Sequence, residues 1–238
     1  MGLADAVKRK LHREIVADPV LHGLVLNLYL NGEQYPHRVD DYFPVTVGDE
    51  WGLGTAMRDH LADEDKHVAL YARAIEKIGQ PVAHLPMADI FNEVIRSHTP
   101  ASFAVTSLDD SDTRRLKLAH FLAHAHFLEK RIVRSLDYHI EACACSASPY
   151  PGKAVAAVLS DEARHVAYTQ EAVRDLLPAT QAAGVLKLHA TAERRANIDF
   201  SSTQLSRLLR EHGRRFSATG RALFGTCTAL LNACLMSP

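Results

Sequence analysis

Apolar residues recur at three- and four-residue spacing along almost the whole of this 238-residue chain and nowhere alternate as a half-buried strand would. A chain patterned this way has to bury its apolar surface with helices alone. The spacing predicts a helix over 4–35 with a break near Asp18–Pro19, then a turn-rich stretch at 40–50. A helix follows over about 51–79, stopping near Gly79 and Pro81, and then a long connection at 80–110 that holds a short helix at about 87–98. The next helix starts from the cap candidates Ser107 and Asp109 and runs to about 144. It is separated by a turn at 146–152 from a helix over about 153–177 that stops before Pro178. Two more helical patterns cover about 179–215 and 218–235. Two hairpins, 4–79 and 110–177, joined by one long crossover are the organisation of a four-helix bundle. The expected class is therefore all-α, one domain over 1–238. Its bundle core spans about 18–177, and additional C-terminal helices over about 179–238 pack on the bundle or make a subunit contact.

Composition narrows the function. Apolar residues are 47% and charged residues 23%, which excludes a disordered or fibrous chain. The formal net charge of −1 argues against a surface built wholly for nucleic acid. No run of about 18 apolar residues offers a membrane span, and the charged N-terminus lacks the apolar centre of a signal peptide. Cys143, Cys145, Cys227 and Cys234 lie at C-x-C and C-x6-C spacings that match neither a zinc site nor a disulfide framework. The expectation is a cytoplasmic chain whose reduced cysteines serve as packing residues.

The informative anomaly is 14 histidines. Two of them close a repeated segment: Asp63-Glu64-Asp65-Lys66-His67 and Asp161-Glu162-Ala163-Arg164-His165, both D-E-x-[KR]-H. Random placement would give ~0.05 such segments in this chain. Glu and His three apart share one helix face and can reach one point. Glu33 precedes Glu64 by 31 positions, and Glu129 precedes Glu162 by 33. The midpoints of both intervals fall beside the two predicted turns, so antiparallel folding brings each lone carboxylate level with its Glu–His pair. The chain reads as a duplicated half-site, E-x30-E-x-x-H and then E-x32-E-x-x-H. Apolar neighbours at helical spacing surround Glu33, Glu129 and Glu162. A carboxylate in such a stripe must protonate or find a partner. Four of them with two imidazoles are neutralised by two divalent cations, and the donor types suit iron or manganese. Pro36, three residues after Glu33, is the departure from a regular helical pattern.

Four carboxylates and two histidines in this order resemble the ferritin-like di-iron carboxylate superfamily over roughly residues 20–177, in particular its oxygenase, hydroxylase and desaturase-like branch. The resemblance implies Glu33 and Glu129 as the lone ligands, Glu64 with His67 and Glu162 with His165 as the paired ones, and Glu64 and Glu162 as bridging, catalytic carboxylates. Asp63 and Asp161 match the aspartates that such oxygenases place before the paired ligands. Asp63 is expected to hold the N–H of His165, and Asp161 that of His67. The implied cofactors are two iron ions, with Mn/Fe or Mn/Mn as alternatives, and O2. The implied function is a dioxygen-dependent oxidoreductase, a hydroxylase, monooxygenase or oxidase acting on an organic substrate. A ferroxidase or iron-handling protein, a peroxide scavenger of the rubrerythrin kind and a tRNA-modifying hydroxylase are the alternatives. The implied partners are a small-molecule or carrier-bound substrate, an external electron donor such as a ferredoxin, and a second copy in a homodimer, with RNA the lesser alternative and no membrane.

Other residues are weaker candidates. Tyr71, four residues after His67, stands where ribonucleotide reductase small subunits place a radical tyrosine, although a core tyrosine is the plainer reading; Tyr168 is similar. His60 and His126, each one turn before a candidate glutamate, read as satisfied or exposed histidines more than as ligands or donors. Residues 187–221 hold eight basic side chains against three acidic ones, ordinarily a solvated face and otherwise a docking face for an acidic partner or RNA.

Overall fold

A computed structural model describes residues 2–40, 42–106, 108–144, 146 and 149–236; the cap candidate Ser107 and Cys145 lie outside the described residues. All regular structure among the described residues is helical, as the apolar spacing requires. The first long pattern is two helices, α1 (Leu3–Ala17) and α2 (Pro19–Glu33). Asp18 causes the break. Its carboxylate accepts from the amides of Val20 at 2.9 Å and Leu21 at 3.2 Å, and Pro19 stands at the first helical position. The turn-rich stretch folds a short α3 (Val45–Asp49), and α4 (Gly54–Lys77) follows. Gly79, at φ 70°, terminates α4 in the left-handed conformation that a side chain would disfavour.

The crossover contains α5 (Phe91–Ser97) behind a 3₁₀ turn at Met87–Asp89. The cap of α6 (Ser111–Cys143) is Asp110, whose carboxylate accepts from the Thr113 amide at 2.7 Å. Asp109 is not the cap: it accepts from the Thr106 amide and pairs with Lys117, closing the loop instead. Helix α7 (Tyr150–Leu176) starts earlier than the expected 153, because Pro151 is favourable in a first turn, where the amide it lacks would go unused. The chain ends in α8 (Ala179–His212) and α9 (Ala218–Met236).

Helices α2, α4, α6 and α7 surround the interior: α2 packs on α4, α4 on α7, and α6 on α7. Leu26 and Leu30 of α2 meet Leu136 of α6 and Val155 and Val158 of α7 in a single apolar cluster. A second cluster, rich in aromatics, joins Tyr35, Tyr42, Met57 and Phe121 to Val173. Helix α1 lies on α6 and α2, α8 on α5, α6 and α7, and α9 on α8 and α1. The C-terminal helices thus pack on the chain's own body. Part of the basic 187–221 face is also spoken for internally: Arg207 pairs with Asp89 at 2.6 Å, Arg215 with Asp18 at 3.0 Å, and Arg221 donates to the Phe216 carbonyl.

Two buried amides of α2 position the start of the crossover. Asn27 donates to the Pro81 carbonyl at 3.0 Å and accepts from the Ala83 amide at 2.8 Å. Asn31, one turn on, donates to the Ala83 carbonyl and accepts from the Leu85 amide, both at 2.8 Å. The side chains thus supply the partners that a neighbouring strand would give an extended segment. Asn31→Ala removes the side-chain partner of the Ala83 carbonyl and of the Leu85 amide, both in part-buried hydrogen bonds. It is expected to cost about 2 kcal/mol and to speed hydrogen exchange at Leu85 selectively. Unchanged exchange at Leu85 would show that the strap does not depend on this amide.

Candidate metal centre

All six candidate ligands are buried, each at 5% exposure or less. Glu33 is the last residue of α2, Glu64 and His67 lie in the middle of α4, Glu129 in α6, and Glu162 and His165 in α7. Pro36 falls in the 3₁₀ turn at Tyr35–Arg38 just beyond Glu33, so it ends α2 without removing Glu33 from the interior. Ligand atoms of Glu33, Glu64, His67 and Glu162 lie within 4.8 Å of one another, as do those of Glu129, Glu162 and His165. The structure therefore brings together all six positions read from the sequence, as two overlapping groups that share Glu162.

Glu162 stands at the centre. Its Oε1 is 3.3 Å from His67 Nδ1 and its Oε2 is 3.5 Å from His165 Nδ1, so one oxygen is turned toward each histidine. Neither contact has hydrogen-bonding geometry, and both oxygens, together with His165 Nδ1, are buried without a hydrogen-bond partner among the described residues. A fully buried carboxylate with neither oxygen satisfied is costly unless a cation sits against it. In the other half-site Glu33 Oε2 is hydrogen-bonded to His67 Nδ1 at 3.3 Å.

The outer nitrogens of both imidazoles meet the aspartates of the opposite segment. His67 Nε2 is 3.2 Å from Asp161 and His165 Nε2 is 3.3 Å from Asp63. With Nε2–H donating outward, a cation that displaced the proton on the inner nitrogen would find Nδ1 of each ring already facing the carboxylates. Lys66 and Arg164 complete the crosslink. Lys66 pairs with both Asp161 and Asp63, and Arg164 bonds Asp63 at 3.1 Å and Asp161 at 2.5 Å. The basic residue inside each D-E-x-[KR]-H segment thus holds the aspartates and points away from the interior.

Electrostatics separate the inner and outer rings. Burial pushes the Glu64 carboxyl well above its ordinary value, and the charges of Glu33, Glu129 and Glu162 push it further. Burial and then Glu162 raise Glu129 to about 8, and burial also raises Glu162. Burial opposes a charge on His67, yet Glu162 and Glu33 outweigh it and raise the imidazole to about 10. Asp161 goes the other way: burial would raise it, but hydrogen bonds from Lys66, Arg164 and His67 hold it far below the carboxylate range. The inner ring is thus an array of acids that share protons when no cation neutralises them, while the outer aspartates stay charged.

His60, expected as a satisfied or exposed histidine, is buried with partners on both nitrogens and also lies among the candidate ligands. It is 1% exposed, its Nε2 is 3.0 Å from Glu64 Oε1 and 3.6 Å from Glu129 Oε1, and its ring stacks on His165 at 3.7 Å between centroids. His60, Glu64 and His165 form a third group of ligand atoms within 4.8 Å. The signal was its place one turn before Glu64 on the same face of α4. Tyr168 fixes the ring, its hydroxyl 2.7 Å from His60 Nδ1. His126 lies apart from these groups, its Nδ1 3.0 Å from the Val166 carbonyl. Tyr71 is fully buried against Tyr29, its hydroxyl has no hydrogen-bond partner among the described residues, and burial followed by the charge of Glu33 raises its pKa well above the ordinary value. Comparison of the chain with protein-family models, with curated proteins and with solved structures finds no match.

Proposed function

We propose that the chain is a dinuclear metal protein of the ferritin-like kind, an oxidoreductase that uses dioxygen on an organic substrate. The observation that carries this reading is Glu162, a buried carboxylate with one unsatisfied oxygen turned toward each of two imidazoles. Glu33, Glu64 and His67 would hold one cation and Glu129, His165 and His60 the other, with Glu162 between them. Hard carboxylate oxygens with imidazole nitrogen favour iron, or manganese in its place. When bound, such a pair supplies one-electron and dioxygen chemistry that no side chain of this chain provides.

The protein's own residues do the rest. Asp63 and Asp161 orient the two histidines. Tyr42, Phe43 and Phe121 pack edge to face beside His60 and keep water from that side. The hydroxyl of Tyr168 bonds His60, and Tyr168, Tyr71 and Tyr42 all feel the charges of the carboxylates, each with its pKa raised first by burial.

Protein produced in iron-replete medium is expected to carry about two irons per chain by elemental analysis. With a reductant, it should consume dioxygen without forming a mineral core. Chains free of transition metal after such production, and unable to take up Fe2+ anaerobically, would refute the assignment. Assembly into a closed shell that mineralises iron would replace the oxidase reading with storage.

A further inference from the structure

A second cluster of metal-binding side chains lies outside the acidic centre. His22 of α2 and His139 and Cys143 of α6 place their ligand atoms within 4.8 Å of one another, and all three are buried. His22 Nε2 faces His139 Nε2 at 3.0 Å, so in the absence of a cation the two rings must share one proton between two like nitrogens. His12 of α1 packs edge-on against His139 at 5.8 Å between centroids, and its Nδ1 is buried with no hydrogen-bond partner among the described residues. On the far side of His139 the Tyr29 hydroxyl stands 3.4 Å from Nδ1, where it can accept the ring N–H and leave Nε2 free as a ligand. Cys143 is a free thiol four residues after His139, on the same face of α6.

We propose that His22, His139 and Cys143, with His12 packed against His139 as a candidate fourth donor, form a separate site for a zinc-class cation. The donors are nitrogen and sulfur, whereas the acidic centre is chiefly oxygen, so the two sites favour different metals. On binding, the Cys143 thiol gives its proton to solvent and the thiolate joins neutral imidazoles. Two tetrahedral nitrogen ligands of one zinc ion lie roughly 3.3 Å apart, as follows from Zn–N bonds of about 2.0–2.1 Å. The 3.0 Å spacing between His22 and His139 therefore needs to open by only a few tenths of an ångström. The site would clasp α1 and α2, on either side of the Asp18–Pro19 corner, to the C-terminal end of α6. The sequence reading missed it because the cysteines were weighed against one another; the spacing that mattered is His139-x3-Cys143.

The test is a titration of the metal-free chain with Co2+, read by the near-ultraviolet sulfur-to-cobalt charge-transfer band. Cobalt held by carboxylates and imidazoles gives no such band, so this site is read independently of the acidic centre. One equivalent should develop the band, and Zn2+ should abolish it by displacement. The band should be lost in Cys143→Ser and in His139→Ala, and kept in Glu162→Leu and in the double variant Cys227→Ser/Cys234→Ser. Circular dichroism on each variant shows that the helices are retained. His22→Asn, which leaves the thiol in place, should also lose the band and serves if Cys143→Ser does not fold. No sulfur band in the wild-type chain, or a band that survives Cys143→Ser or His22→Asn, would overturn the proposal.

Discussion

Glu162→Leu is expected to cut the metal content of the acidic centre to about a tenth or less, since losing even the outer partner of a ligand commonly costs roughly 10- to 100-fold in affinity. The metal-free form of the same variant is expected to be more stable than wild type by about 1–3 kcal/mol. The substitution replaces a buried carboxylate, neither of whose oxygens has a hydrogen-bond partner among the described residues, by an apolar side chain of similar size, while Glu33, hydrogen-bonded to His67 Nδ1, remains to hold the charge of that ring. Opposite signs for binding and stability mark a group kept for function at the expense of the fold. Elemental analysis and thermal melting of the two metal-free proteins, run in parallel, measure both. A variant that melts well below wild type in the metal-free state would make Glu162 a structural residue and remove the centre's main support.

The second large effect is on the pH dependence of the metal-free chain. Buried carboxyls with raised pKa values hold protons more tightly when folded than when unfolded. Their contribution is complete below about 4.5 and is lost as pH rises toward the folded value, about 8 for Glu129. The buried histidines outside the centre have the opposite sense. Burial lowers His12 and His22 to about 4 and His124 and His189 to about 3, so stability drains away as pH falls below 6.5. The two limbs predict a maximum near pH 6.5. Each proton released from the inner ring above that point costs up to about 1.4 kcal/mol per pH unit. A fall of roughly 5–10 °C in melting temperature by pH 8 follows for a chain of this size. Loading with Fe2+ or Mn2+ under argon should flatten the alkaline limb alone, because cations replace the shared protons while the histidines lie elsewhere. A metal-free chain equally stable at pH 6.5 and 8 would mean that the inner ring is already neutralised by other means.

Much of this arrangement was readable from two periodicities. Helical spacing predicted the α2, α4, α6 and α7 regions to within a few residues, because each buries an apolar face and is followed within a few residues by Pro, Gly or a turn-rich stretch. The level pairing of Glu33 with Glu64, and of Glu129 with Glu162, followed from the turn positions alone. What stayed hidden depended on contacts between distant segments. His60 looked ordinary until Tyr168, 108 residues away, was seen to hold its ring. Asn27 and Asn31 gave no signal, because their partners are backbone groups of the crossover, which carry no sequence signature. Lys66 and Arg164 were legible only as the basic position of the repeated segment, and the folded chain shows that each spans both aspartates.

That crosslink makes α4 and α7 one mechanical unit. Each imidazole is aimed by an aspartate rooted in the other helix, so a slide or twist between the two would misdirect both rings at once. The neighbouring helix α2 is fastened to the crossover by other means, the buried amide side chains of Asn27 and Asn31 in place of charged pairs, so a change of ionic strength would reach the first fastening and leave the second untouched.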